Sequence, residues 1–217
     1  MATINISRQG HATGVTSANF NTARGSAASS VTDGVTGAGT VQYFHSGRGK
    51  RFQRVFLYFD TSGITGTLSA AHIDVKGGGI SGDPNDTIMI KSTAFGGDGG
   101  TALATSDFFL SLNYSTAYST ELTSFSNSGN NEYTLTAAAL ADIKNNDHFT
   151  LAIVEHDSDY TNSDQTNVSD IVIDFDTTIT LDYTLAGYGN RVNGVASANI
   201  GKINGVATAI ISKVNGV

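Results

Sequence analysis

Cysteine and tryptophan are missing from this sequence, proline occurs once and methionine twice. Without cysteine, disulfide staples and thiolate metal sites are excluded. Without tryptophan, 11 phenylalanines and 8 tyrosines must supply all the aromatic bulk of a core. No apolar run approaches the roughly 18 residues of a membrane span, which argues against membrane insertion. Basic residues are scarce: 12 Lys and Arg face 19 Asp and Glu, for a formal net charge of −7. Such a field repels a phosphate backbone and argues against nucleic acid as a partner. The stretch from Met1 to Arg8 has no apolar signal-peptide core, so the expectation is synthesis in a cytoplasm without export by the general route.

What is present is turn chemistry and alternation. The chain carries 25 glycines among many Ser, Thr, Asn and Asp residues, and no long amphipathic run speaks for a helical bundle. A chain of 217 residues can bury roughly 70% of its unfolded surface, enough for a self-supporting core. The most informative stretch is Arg51–Asp60. Val55, Leu57 and Phe59 point one way and Phe56 and Tyr58 the other, as in a central strand covered on both faces. Shortly after it Ala71, Ile73 and Val75 alternate with His72, Asp74 and Lys76, the pattern of a half-wet antiparallel strand.

Further strands are expected at residues 2–6, 41–45, 88–90, 133–135, 149–154, 171–175 and 179–183, from the same alternation. Residues 10–39 read as a Gly/Ser/Thr-rich arm laid along the sheet, anchored by Val15, Phe20, Val31 and Val35. Gly77-Gly78-Gly79 reads as a break. Thr136–Lys144 is alanine-rich with Leu140 and Ile143 three apart and Asn145-Asn146 as a stop, and is the one short helix expected. Asp157–Asp170 reads as a polar acidic loop. About ten strands at this spacing predict an all-β fold, an antiparallel β-sandwich of jelly-roll type. It would occupy 1–186, with residues 1–40 as arm and first strand, and 187–217 as a tail.

That tail is periodic. Val192-Asn193-Gly194-Val195, Ile203-Asn204-Gly205-Val206 and Val214-Asn215-Gly216-Val217 recur at intervals of eleven. Asn-Gly between β-branched residues is the strongest short hairpin signal, because a type I′ turn needs positive φ at both central positions. Three copies at fixed spacing imply an array of turn-plus-short-strand units. Such short units must dock on the domain, on a second copy or on another protein. A disordered tail is the simpler alternative, but disorder favours charge and proline over regularly placed Val and Ile.

Reactive constellations are few. The five histidines show no metal-ligand spacing, and His45 and His72 read as strand residues on a wet face. Asp157, Asp159 and Asp164 could line a calcium loop, but the spacing lacks the EF-hand glycine and terminal Glu, so a solvated loop is preferred. Glu155, at a strand end, is the one candidate for a glycosidase carboxylate. No other cofactor is implied. Tyr114, Tyr118 and Tyr160 could stack on sugar rings, a reading that the missing tryptophan weakens. Arg48, Lys50, Arg51 and Arg54 form the one basic cluster; alternation splits it, and pairing with the acidic loops or an acidic neighbour is the expected use.

Arg54-Val55-Phe56-Leu57-Tyr58-Phe59-Asp60 followed by Ser69-Ala70-Ala71-His72-Ile73-Asp74-Val75 resembles the signature of the DNRLRE-type β-sandwich domains, with one extra residue in the second part. Tyr133–Val154 and Thr178–Thr184 resemble that family's later strand–helix–strand and last strand. The resemblance covers about residues 38–185 and implies a carbohydrate-binding-module-like fold. The closing Ile211-Ser212-Lys213-Val214-Asn215-Gly216-Val217 resembles the ends of structural proteins of tailed bacteriophages. It implies a non-enzymatic virion component: a capsid decoration protein, head fibre or tail appendage. Other virion proteins and its own copies, in a homo-oligomer such as a trimer, would be its partners. The alternative expectation is a carbohydrate-binding module that adheres to a surface glycan.

Overall fold

Alternating Val, Ile, Leu and Phe build antiparallel strands along most of the chain, and the fold is all-β. A computed structural model describes residues 1–186 except 35, 84 and 167, and the strand backbone of Lys202–Ile203 and Val206–Ala207. In chain order the elements are β1 (Ala2–Asn5), β2 (Arg8–Thr13), α1 (Phe20–Gly25), β3 (Ser30–Asp33), β4 (Ala38–Ser46), β5 (Gly49–Asp60), β6 (Leu68–Gly82) and β7 (Thr87–Ser92). Then follow α2 (Asp107–Leu110), β8 (Leu112–Ala117), β9 (Asn130–Thr134), α3 (Ala137–Asn145), β10 (His148–Glu155), a π-helical turn (His156–Tyr160), β11 (Ser169–Asp174) and β12 (Thr180–Leu185). A two-stranded pair, β13 (Lys202–Ile203) and β14 (Val206–Ala207), lies in the tail.

The strands form two antiparallel groups that share β6. The first half of β6 pairs with β12 on one edge and β9 on the other, and β1 adds beyond β12. Its second half pairs with β11, which leads through β4, β5, β10 and β7 to β8. The expected break at Gly77-Gly78-Gly79 is therefore a correction: the strand runs on through it. Glycine is needed there because a Cβ on Gly77 would lie 1.9 Å from the Ser126 carbonyl oxygen. A side chain would block the passage of β6 from one group to the other.

Arg51–Asp60 is central, as its two-faced pattern predicted. One edge of β5 is taken by β2, and the other first by β4 and then by β10. Val55, Leu57 and Phe59 join Phe149, Leu151, Ile153, Ile73, Val75, Tyr133 and Leu181 in one core cluster. Phe52 and Phe56 face the other way, into a second cluster with Phe20, Tyr43, Ile88, Ile90, Phe95 and Phe108. Each such large side chain, fully buried, contributes about 1.5–3 kcal/mol.

The helix expected at Thr136–Lys144 is α3, with the Thr136 hydroxyl accepting from the Ala139 amide and Ala139 and Ile143 buried. It is not alone, which corrects the one-helix expectation. Helix α1 forms inside the arm, where Asn19 caps the Thr22 amide and Phe20 and Ala23 are buried. Helix α2 carries Phe108 inward and leaves Leu110 80% exposed. Helices of six and four residues have no usable periodicity; caps and tertiary packing hold them.

Gly77→Ala should lower stability by about 1–3 kcal/mol through this overpacking. Gly63→Ala, where a Cβ meets nothing within 4 Å, should stay within about 0.5 kcal/mol of wild type in urea unfolding. Equal midpoints for the two variants would contradict the close passage.

Candidate functional site

The end of β10 and the residues after it gather the chemistry that the sequence scattered. Glu155 is buried at the last position of β10 and its carboxylate turns forward to cap the π-helical turn. Oε1 accepts from the Asp157 amide at 3.0 Å, and Oε2 from the Ser158 and Asp159 amides at 2.7 and 3.0 Å. Three amides thus wind His156–Tyr160 into one tight turn and aim Asp159 inward. Asp159 is 1% exposed. The expectation of a solvated acidic loop fails here, because a turn capped by a buried carboxylate keeps its side chains facing the sheet.

Asp159 meets Arg54, fully buried on β5. Arg54 Nε donates to Asp159 Oδ2 at 2.6 Å and Nη2 to Oδ1 at 2.8 Å, a bidentate pair. Nη2 also donates to the Arg24 carbonyl at 3.0 Å, and Nη1 donates to the Phe108 carbonyl. The guanidinium lies 3.9 Å from the centre of the Phe108 ring. Arg24, in the last turn of α1, donates from Nε to Asp159 Oδ1 at 3.2 Å and lies 4.0 Å over the Tyr114 ring, whose hydroxyl donates to the same oxygen at 2.7 Å. Asp159 is saturated by two cations and a phenol. It is a structural anchor with no lone pair aimed at an ion.

The other two calcium candidates go elsewhere. Asp164 Oδ2 accepts from Lys50 Nζ at 2.5 Å and Oδ1 from the Tyr43 hydroxyl at 3.0 Å. The Lys50 bond holds the Asp164 carboxyl below its usual range. Asp157 lies 3.0 Å from His156 Nδ1, which is also 3.0 Å from Glu121 Oε1. The three aspartates therefore enter three separate partnerships and do not converge on one cation, a correction to the calcium loop. Pairing of the basic cluster with acidic loops holds for Arg54 and Lys50.

The tyrosines part company as well. Tyr118 is 2% exposed, packs 4.9 Å from Phe149 and donates to Asp142. Tyr114 is covered by Arg24, and Tyr160 stacks on His156 at 5.5 Å. No shared stacking platform for a sugar results, because their rings are spent on internal contacts. A polar surface cavity of about 530 Å³ instead lies between the start of α1 and the loop after the π-helical turn, lined by Asn19, Phe20, Asn21, Lys50, Asn162 and Asp164. Asn162 adopts φ 56°, a turn conformation that asparagine tolerates, and so fits the rim of this cavity. Asn19 and Asn21 escaped the sequence reading because their stretch looked like featureless arm.

Glu155 remains the sole catalytic candidate from the sequence, and its carboxyl is pushed up to about 7 by burial, against the pull of its three amides. Both oxygens are engaged with backbone, so its geometry is that of a cap. In the tail, Lys202–Ile203 pairs antiparallel with Val206–Ala207 across Asn204-Gly205, with Ile203 opposite Val206. The first copy, Val192–Val195, and the third, Val214–Val217, lie outside the described residues, as do Asn204 and Gly205 themselves. No protein-family model matches this chain, and no curated protein is detectably similar to it.

Asp159→Asn leaves Arg54 buried beside a neutral group and should cost about 3–5 kcal/mol in urea unfolding. Asp164→Asn, which breaks an exposed pair, should cost no more than about 1 kcal/mol; a reversed order would contradict these assignments. Glu155 titrates higher folded than its ordinary value of 4.5, so the folded chain binds more protons than the unfolded one. Its stabilisation is complete below that value and is lost as pH rises through about 7. Wild type should therefore lose stability relative to Glu155→Gln between pH 4.5 and 7, measured as the difference in urea midpoint; a flat difference would rule this out.

Proposed function

We propose that the chain is a non-enzymatic structural protein of a tailed-bacteriophage particle. In this reading the β-sandwich is displayed on the particle, and the C-terminal repeat holds the protein to its own copies or to another virion protein. The observation that carries it is the tail: three Asn-Gly units at fixed spacing, the middle one with its flanking residues paired antiparallel. Among the described residues Lys202–Ile203 and Val206–Ala207 pair only with each other, and an unpaired strand edge invites pairing with another chain. A rigid platform bearing such a tail suits assembly or attachment. The charge anchor at Arg54–Asp159 supports this reading, since it stiffens the platform without presenting reactive groups to solvent.

The second reading is adhesion to a surface glycan. It is favoured by the polar cavity with Asn19, Asn21, Lys50, Asn162 and Asp164, which offers amide and charged groups of the kind that bond sugar hydroxyls.

Deleting residues 187–217 should leave the circular dichroism of the domain intact, reduce the mass in light scattering to that of one chain, and abolish incorporation into particles. Unchanged mass together with normal incorporation would sink the assembly reading. Glycan-array binding lost on Asn162→Ala, with incorporation unaffected by the deletion, would move the function to the cavity.

A further inference from the structure

The smaller strand group carries a second convergence, on the face away from the core. His72 and Asp74 are two apart on β6 and share a face, while Ile73 between them is buried. The register places Asp182 of β12 opposite His72, and Glu132 of β9 opposite Asp74. Three neighbouring strands thereby bring one imidazole and three carboxylates together. A slip of one residue would invert the face, so burial of Ile73, Tyr133 and Leu181 fixes the arrangement.

The distances are those of ligands around an ion more than those of hydrogen bonds. His72 Nε2 lies 3.6 Å from Asp74 Oδ2, 3.9 Å from Glu132 Oε2 and 3.9 Å from Asp182 Oδ2. One nitrogen faces three carboxylates and is within hydrogen-bonding distance of none of them. Bonds of about 2.0–2.1 Å in a tetrahedral site put neighbouring ligand atoms about 3.3–3.4 Å apart; the ligand atoms of His72, Asp74 and Asp182 all lie within 4.8 Å of one another, so the three would draw closer around an ion. The His156 group differs: its Nδ1 sits 3.0 Å from Glu121 and from its own neighbour Asp157, which is ion-pair spacing. Asp182 is also held from behind, accepting from the Thr3 hydroxyl with Oδ1 and from the Thr180 hydroxyl at 3.1 Å with Oδ2. Such outer bonds orient a ligating carboxylate.

We propose that His72, Asp74 and Asp182 form a site for a divalent transition metal, zinc foremost, with Glu132 beside it. An imidazole nitrogen among carboxylates selects zinc-like ions over calcium or magnesium, which take oxygen sets. These three side chains can hold the ion with water in the fourth position, and Glu132, 59% exposed, stands beside that water as an outer partner. Bound metal would tie β6 and β12 together directly and β1 through Thr3.

The test is calorimetry with zinc chloride on the full chain after dialysis against EDTA, combined with zinc X-ray absorption and thermal unfolding. One zinc per chain is expected, with one imidazole in its shell and a higher unfolding temperature. His72→Ala should lose binding. Glu132→Gln alters only an exposed side chain and so cannot compromise the fold; it should weaken binding about tenfold. His156→Ala should bind as wild type does, and excess calcium should not compete. Absence of stoichiometric binding, binding that survives His72→Ala, or binding lost in His156→Ala would each overturn the proposal.

Discussion

The fold turns on a charge pair that water never reaches. Arg54 and Asp159 are 0% and 1% exposed, and each alone would be prohibitive in such surroundings. Together they are compensated by bidentate geometry and by carbonyls, a phenol and a second arginine. Their partners come from β5, α1, the end of α2, β8 and the turn after β10. Elements too short to stand alone are thereby assembled around one guanidinium. Helix α1 reaches the pair through Arg24, and α2 through the Phe108 carbonyl and ring. Such a centre specifies geometry more than it adds net stability, because the same volume filled with apolar side chains could hold as well.

The strands were legible because their signal is local. Val55, Leu57 and Phe59 against Phe56 and Tyr58 announce a strand covered on both sides, and the two core clusters divide along that line. Likewise Leu140, Ile143 and the paired asparagines announce α3. The anchor was half legible: a basic cluster in an acidic chain implies pairing, but nothing local marks Asp159 as the partner of Arg54. Asp157, Asp159 and Asp164 look alike in sequence, yet one is buried, one pairs with a lysine and one faces a histidine. Their fates follow from the cap made by Glu155, which depends on three-dimensional closure. The tyrosines misled for the same reason, since a phenol among serines and threonines reads as exposed until its partner is known. Gly77–Gly79 misled differently: glycine signals a break, and here it permits a close passage.

Carboxylates in this acidic chain sort by surroundings. Those facing the second core cluster are neutralised by arginine or spent on amides. Those on the outer face of the smaller group crowd around His72 with no arginine nearby among the described contacts. The buried carboxylate Asp159 is thus compensated by arginine, whereas this outer face gathers three carboxylates around one imidazole. An outer face of that kind repels like surfaces and attracts cations, which bears on how two copies of the domain can approach one another.

The partner of β1 carries a consequence for how the molecule comes into being. Among the described residues Ala2–Asn5, the first strand of the domain, pairs only with Thr180–Leu185, its last, which in turn lies beside β6. The smaller group therefore cannot close before β12 has been synthesised. Until residue 185 has left the ribosome, Ile73 and its neighbours lack the cover that Leu181 provides. The repeat follows β12 in the chain, so it is made only after every strand of the domain.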